Sequence, residues 1–322
     1  MKNMNNTNLQ NCIINVFKPE GITSQGVVTA VKRALNVKTA GHCGTLDPLA
    51  TGVLPVMVER AVKASEYLTD HDKLYLAKMK LGVVTDTGDI TGNVLKTFEG
   101  KLPTFSDIVE IIPRFKGEII QIPPMYSALK MDGKKLYDLA RQGIEVERKG
   151  RKITVYSITP EKSDAESEII LYVLCSRGTY IRTLIEDIGN ALGCGATMSA
   201  LCRKAVGNVE LVDSCKKEFV PMFSDENAVS FDDLKKGEIP ERAVTRVEDV
   251  FPKYEKITFP DFYERLFFSG CEIYLSKLPM EHPAKKAKLG DVFRIYGKEG
   301  FLALGEVKEY EAGFAVKQIK RF

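Results

Sequence analysis

The segment Gly41-His42-Cys43-Gly44-Thr45-Leu46-Asp47-Pro48-Leu49-Ala50-Thr51-Gly52 is the stretch best suited to chemistry. Its three glycines allow backbone angles closed to other residues and let another molecule approach closely. Pro48 biases Asp47 away from helical angles and supplies no N–H of its own. One carboxylate is thereby held on a loop anchored by a buried strand, the setting in which catalytic groups concentrate. An ionised carboxylate there can attack carbon or stabilise a developing cation. A plain Asp-Pro turn is the competing reading.

Competitors for chemistry are few. His42, His71 and His282 are the only histidines. The seven cysteines, Cys12, Cys43, Cys175, Cys194, Cys202, Cys215 and Cys271, contain no Cys-x-x-Cys pair. No metal site is expected from them, and they read as reduced thiols.

Several elements must position the loop. Residues 13–17 read as a strand, stopped by Lys18-Pro19-Glu20-Gly21. Val27, Val28, Val31, Ala34 and Leu35 recur at helical spacing and predict a helix over 24–35, with Ser24 as its cap. After the Gly-rich loop come an apolar strand at 54–58 and a second helix at about 60–69. Strict alternation from Tyr75 to Val83 predicts a strand with Tyr75, Ala77 and Met79 on one face. A helix is expected at 104–113, a strand pair at 151–158 and 168–175, and a helix presenting Ile181, Leu184, Ile185, Ile188 and Leu192. The acidic stretch near 224–250 reads as a boundary region. Glycines at 270, 290, 297, 300, 305 and 313 then punctuate a small β-rich domain. Strands and helices interleave without a regular βαβ period, so the expected class is α+β.

At 44% hydrophobic residues the 322-residue chain can bury a sizeable core. No apolar run approaches the roughly 18 residues of a membrane helix, and the first residues lack the apolar middle of an export signal. A cytoplasmic protein is expected. The net charge is only +3, yet its distribution is uneven. Residues 130–152 carry eight basic side chains against four acids, and 284–322 carry nine against five. Two such segments are what a polyanion-binding protein needs, although a charge run is often a solvated face.

The sequence GHCGTLDPLATGVLPV resembles the catalytic motif of the TruB-type pseudouridine synthases. KPEGITS at 18–24, Lys73-Leu74-Tyr75, TDTGDITG at 85–92, QIPPMYSALK at 121–130, GKKLYDLAR at 133–141 and CSRGTYIRTLIEDIGNALG at 175–193 resemble further family elements, as does Leu201-x-Arg203. They occur in family order. GDVFRIYGKEGFLALGEV at 290–307 resembles the PUA-like RNA-binding domain that closes bacterial members.

The resemblance implies a pseudouridine-synthase fold: a mixed, largely antiparallel central sheet with flanking helices over 1–250, and a PUA-like domain over 251–322. The basic segment, about 124–152, falls where the family has an insertion that folds onto the T-loop of transfer RNA. The implied activity is isomerisation of uridine 55 of that loop by base flipping, without cofactor or metal. Asp47 is then the nucleophile and Arg182 its partner, against the alternative of an i, i+4 pair between Arg182 and Glu186. Tyr75 stacks on the uracil, against the alternative of a plain core aromatic, and Tyr180 lines the pocket. His42 helps displace the base, and Leu201 and Arg203 close the site. Lys18, Lys63, Lys130, Lys149, Arg151 and Lys152 are the expected RNA or loop contacts. The expected partner is tRNA, with no membrane, no obligate protein partner and a monomeric state. The rival function is a tRNA-binding and folding protein whose catalysis is secondary; a third is the same chemistry on another RNA.

Overall fold

In a computed structural model the structure describes residues 9, 11–127, 129–131, 133–211, 217–298 and 300–322. The chain opens with β1 (Cys12–Lys18), α1 (Ser24–Leu35), β2 (Ala40–His42), β3 (Thr51–Val58) and β4 (Asp72–Leu81). It continues through β5 (Gly117–Gln121), β6 (Arg151–Lys162), β7 (Glu168–Cys175), α2 (Ile181–Ala191), β8 (Ala196–Leu211), β9 (Lys217–Ser224), β10 (Val229–Ser230) and β11 (Val244–Arg246). These strands form one sheet in the order β10-β1-β3-β8-β4-β7-β6-β5, with β9 beside β8, β11 beside β1 and β2 beside β3. Two pairings are parallel, β1 with β10 and β3 with β8, and the others are antiparallel. The α+β expectation holds.

Periodicity explains the core. Alternation in β4 turns Tyr75, Ala77, Met79 and Leu81 inward, onto Leu171 and Val173 of β7 and Leu184, Ile185 and Ile188 of α2. The valines of α1 cover Ile14, Val16, Leu54 and Val56 at the other end of the sheet. β3 is buried along almost its whole length, which is why it reads as a continuous apolar run.

Local details depart from the sequence reading. The cap of α1 is Thr23, whose hydroxyl accepts from the Gly26 amide at 3.0 Å. Ser24 lies inside the helix and bonds both backbone groups of Leu46 instead. The helix expected at 60–69 is a 3-10 turn, Glu59–Ala64, followed by a short α-helix, Ser65–Thr69. The helix expected at 104–113 spans Phe105–Ile111 before a 3-10 turn. The stretch 224–250 is no loose boundary: β10 and β11 both pair with β1, and Leu234 and Ile239 enter the α1 core. Its acids lie on the outer side, so composition alone hid its apolar anchors. Cys215 lies outside the described residues; the other six cysteines are free.

The last segment forms a second sheet of β12 (Glu255–Thr258), β13 (Ile273–Tyr274), β14 (Val292–Gly297), β15 (Gly300–Tyr310) and β16 (Gly313–Arg321), in the order β12-β14-β15-β16-β13. It has its own core around Phe259, Phe267, Phe293 and Ile295. A further cluster joins the two sheets: Phe251 meets Tyr67 edge-on at 4.9 Å between ring centroids and Phe322 at 5.6 Å.

Gly52 shows how tightly the site is anchored. It faces Arg203 across the parallel β3–β8 pairing with φ +105°, and a Cβ there would lie 2.3 Å from the Arg203 carbonyl oxygen. Backbone on both sides leaves no room to give. Gly52→Ala is expected to cost on the order of 3 kcal/mol of stability in urea unfolding, with wild-type stability arguing against this packing.

Candidate active site

Asp47 sits on the turn between β2 and β3, and that turn is fastened from beneath. The Pro48 carbonyl accepts from the Gly21 amide at 2.8 Å and from Lys18 Nζ at 3.1 Å. Ser24 brackets Leu46, its hydroxyl accepting from the Leu46 amide at 2.9 Å and donating to the Leu46 carbonyl at 3.0 Å. Arg203 reaches under the loop, Nε donating to Val53 O at 2.7 Å and Nη2 to Gly44 O at 3.1 Å. The Ala50 amide closes the turn on the Asp47 carbonyl at 3.0 Å. Backbone polar groups are thus satisfied by fixed donors, and the carboxylate has little freedom to wander.

Arg182, in the first turn of α2, faces it. Nη2 lies 3.0 Å from Asp47 Oδ2; the arginine side chain is 7% exposed and the aspartate 38%. Nη2 also donates to Tyr126 O at 2.7 Å, and Nη1 donates to Thr87 O at 2.9 Å. Nη1 is 3.8 Å from Oδ2 of Asp89, a buried carboxylate. The alternative surface pair with Glu186 is therefore not the role of Arg182: its guanidinium turns inward.

Asp89 is the residue the sequence reading missed. TDTGDITG was noted as a motif, without a role for its second acid. Asp89 Oδ1 accepts from the Thr87 hydroxyl and the Thr91 amide, each at 3.0 Å, which frees Oδ2 for Arg182. The signal available was an acid in a turn whose flanking threonines can lock its side chain.

Tyr75 lies on the core face of β4, 8% exposed, opposite Arg203 in the β4–β8 register. Burial pushes its phenol up, and the Arg203 charge opposes this. Leu201 and Leu46 belong to the same apolar cluster. Tyr180 immediately precedes α2; burial raises its phenol too, against the charges of Arg151 and Arg182. His42 lies half-buried on β2 with Nδ1 buried and unpartnered among the described residues. Burial first, and then the Arg203 charge, lowers its pKa, favouring neutral imidazole.

Lys18 and Lys63, expected as RNA or loop contacts, and Arg203, expected to close the site, are engaged within the protein. Lys18 is fully buried, donating to Pro19 O at 2.8 Å as well as to Pro48 O, so it holds the loop and cannot reach phosphate. Arg203 is likewise buried, with donors directed at the Val53 and Gly44 carbonyls, so it supports the loop from below. Lys63 donates to Arg321 O at 2.9 Å, tying the first sheet to β16. Sequence cannot separate a buried lysine from a solvated one, because only tertiary packing decides where the long stem runs. Lys149, Arg151 and Lys152 are exposed. Lys130 lies in a short strand, Lys130–Met131, and its side chain is outside the described residues. Among the described residues no group of three or more His, Cys, Asp or Glu side chains could hold a metal ion.

With this geometry in place, comparisons fix the class. Residues 32–181 match the model of the TruB family pseudouridylate synthase N-terminal domain. Residues 182–239 match the tRNA pseudouridylate synthase B C-terminal domain. The tRNA pseudouridine synthase B of Clostridium tetani is 41% identical over 309 residues, 96% of this chain and 99% of that protein. Its counterpart in Clostridium perfringens strain 13 is 40% identical over 310 residues, 96% and 98% of the two chains. A solved structure of a Cbf5-Nop10-Gar1 complex is similar with TM-score 0.66 and 29% identity, covering 98% of this chain and 86% of that one. The chain belongs to the TruB family of pseudouridine synthases. The boundary between the two family models falls inside α2, so the halves they name share one sheet and one core.

Lys18 gives the site a pH signature. Burial is the largest cause that lowers its pKa from 10.5 to about 8, against the Asp47 charge, which raises it. Between those values the unfolded chain binds more protons than the folded one, so Lys18 adds stability as pH rises from about 8 to about 10. Replacing Lys18 by Met removes that slope. The stability advantage of wild type over Lys18→Met should therefore grow across this range in urea unfolding at constant ionic strength. A pH-independent difference would show that Lys18 does not titrate in this window.

Proposed function

We propose that this chain converts uridine 55 in the T-loop of tRNA to pseudouridine, with Asp47 as the reacting carboxylate. The observation that carries the reading is the Asp47–Arg182 pair: a half-exposed carboxylate whose Oδ2 is held at 3.0 Å by a guanidinium that is itself buried. Such a pair leaves Oδ1 for a substrate, and a charged fork-shaped donor keeps the carboxylate aimed.

The reaction breaks the bond between uracil N1 and ribose C1′, turns the base, and joins C1′ to C5. The proton lost from C5 balances the one gained at N1, so the conversion is redox-neutral and calls for no cofactor. Asp47 serves as nucleophile toward C1′ or C6, or as the anion beside a charged sugar. Extraction of the base from its stack costs a few kcal/mol. Stacking on Tyr75, worth about 1–3 kcal/mol, offsets part of it. Tyr180 lines the same pocket beside Arg182. Neutral His42 helps displace the base, and Leu201 closes the apolar side.

The catalytic unit spans 1–250, with the insertion 124–152 laying Lys149, Arg151 and Lys152 on phosphate, and 251–322 is a PUA-like RNA-binding unit. Phosphate contacts position the RNA without reading its sequence, and loop shape with stacking selects the base. The chain works as a cytoplasmic monomer without an obligate protein partner. No helix among the described residues is long and apolar enough to cross a membrane. A purely RNA-folding role gives no use to a buried arginine aimed at one carboxylate, which favours catalysis.

Asp47→Asn is expected to lower pseudouridine formation on the order of 10³-fold or more, while tRNA binding stays largely intact. Mapping pseudouridine in purified tRNA after incubation reads this out, and appreciable turnover by the variant would remove Asp47 from the role. Neutralising Lys149, Arg151 and Lys152 together should weaken affinity and reduce the slope of log K against log salt by about 2–3. An unchanged slope would mean that these side chains do not meet phosphate.

A further inference from the structure

The basic insertion leaves the sheet at the end of β5 and returns at the start of β6, and its two roots meet on one rung. Gln121 is the cross-strand partner of Arg151, and Ile120 of Lys152. On that rung exposure differs: Arg151 is exposed, whereas Gln121 is 2% exposed. The Gln121 carboxamide closes a two-way clasp on one residue. Its Oε1 accepts from the Tyr180 amide at 2.7 Å, and its Nε2 donates to the Tyr180 carbonyl at 3.1 Å. That carbonyl also accepts from the Leu184 amide at 3.1 Å, so the clasp grips the start of α2, two residues before Arg182.

A second tie runs to the guanidinium itself. Tyr126, five residues beyond Gln121, offers its carbonyl to Arg182 Nη2 at 2.7 Å, and the same nitrogen pairs with Asp47 Oδ2 at 3.0 Å. A guanidinium Nη carries two hydrogens, so the root of the insertion and the reacting carboxylate share one donor atom. Displacing the root redirects Nη2, and with it the carboxylate.

We infer that Gln121 is a positioning residue that couples the seating of RNA on the insertion to the aim of Arg182. The inference rests on the pseudouridine reading above and adds to it a mechanical link. Phosphate held at Arg151 and Lys152 fixes the rung, the rung fixes the Gln121 clasp, and the clasp sets the first turn of α2. A hydrogen-bonding carboxamide of this length is required, because an apolar isostere leaves the part-buried Tyr180 amide without its acceptor.

The experiment is a double-mutant cycle on the full chain, under single-turnover conditions with enzyme saturating over transcribed tRNA. Gln121→Met should slow conversion of the bound complex by about 10²-fold, the scale of a small misplacement of reacting groups, with little change in the Kd for tRNA. The triple variant Lys149→Ala, Arg151→Ala, Lys152→Ala should also slow it, and adding Gln121→Met to that triple should slow it no further than Gln121→Met alone. Gln121→Glu keeps the acceptor for the Tyr180 amide and should recover part of the rate. Multiplying, independent losses would overturn the coupling, as would wild-type conversion by Gln121→Met. Should Gln121→Met not fold, the same cycle with Gln121→Glu decides between shared and independent losses. A wild-type chain that forms no product would overturn the underlying pseudouridine reading itself.

Discussion

The contact on which the site depends is the ion pair between the buried Arg182 guanidinium and Asp47. Removing a guanidinium from water costs several kcal/mol unless each donor finds a partner. Here the partners come from separate parts of the chain: Asp47 from the β2–β3 turn, Thr87 and Asp89 from the turn after β4, and Tyr126 from the segment after β5. One desolvated cation therefore obliges three loops and a helix to converge. Losing any one acceptor leaves a charge in a poorly solvated place.

A second layer of cations lies below the Asp47 loop. Lys18 and Arg203 direct their donors at loop and strand carbonyls, and Lys73 donates to Thr69 O and His71 O. Burial lowers the pKa of both lysines to about 8, with the Arg203 charge adding to the effect on Lys73. The fold tolerates that cost because the carbonyls of a tight turn have no ladder partners, and positive donors satisfy them. The gain is a carboxylate held in one place before substrate arrives, which is the condition for electrostatic preorganisation.

The small C-terminal sheet is joined to this machinery by rings rather than by a linker. Phe251, Phe301 and Phe322 pack with Tyr67, and Lys63 and Arg60 from the turn after β3 donate to the last backbone carbonyls. The strand that anchors the Asp47 loop thus leads directly into the element that holds the second sheet.

Much was legible without coordinates. Alternation in β4, the 3.6-residue period of α1 and α2, and the Gly-bounded loop around Asp47 are local patterns, and each follows from backbone geometry and side-chain type within a few residues. Motif resemblance extended that to the Asp47–Arg182 pair, across more than a hundred positions. What only the tertiary structure decided concerns groups whose chemistry is identical in either setting. Lys18 and Lys63 read as RNA or loop contacts and Arg203 as closing the site, because a lysine or arginine looks the same whether its stem runs outward or beneath a loop. Gln121 gave no sign of its role and Asp89 showed only a turn that could lock it, since a carboxylate or a carboxamide gains meaning from the donor that packing brings to it. Sequence determines which groups a chain possesses and how its short segments bend; burial and partnership arise only when distant segments close on one another.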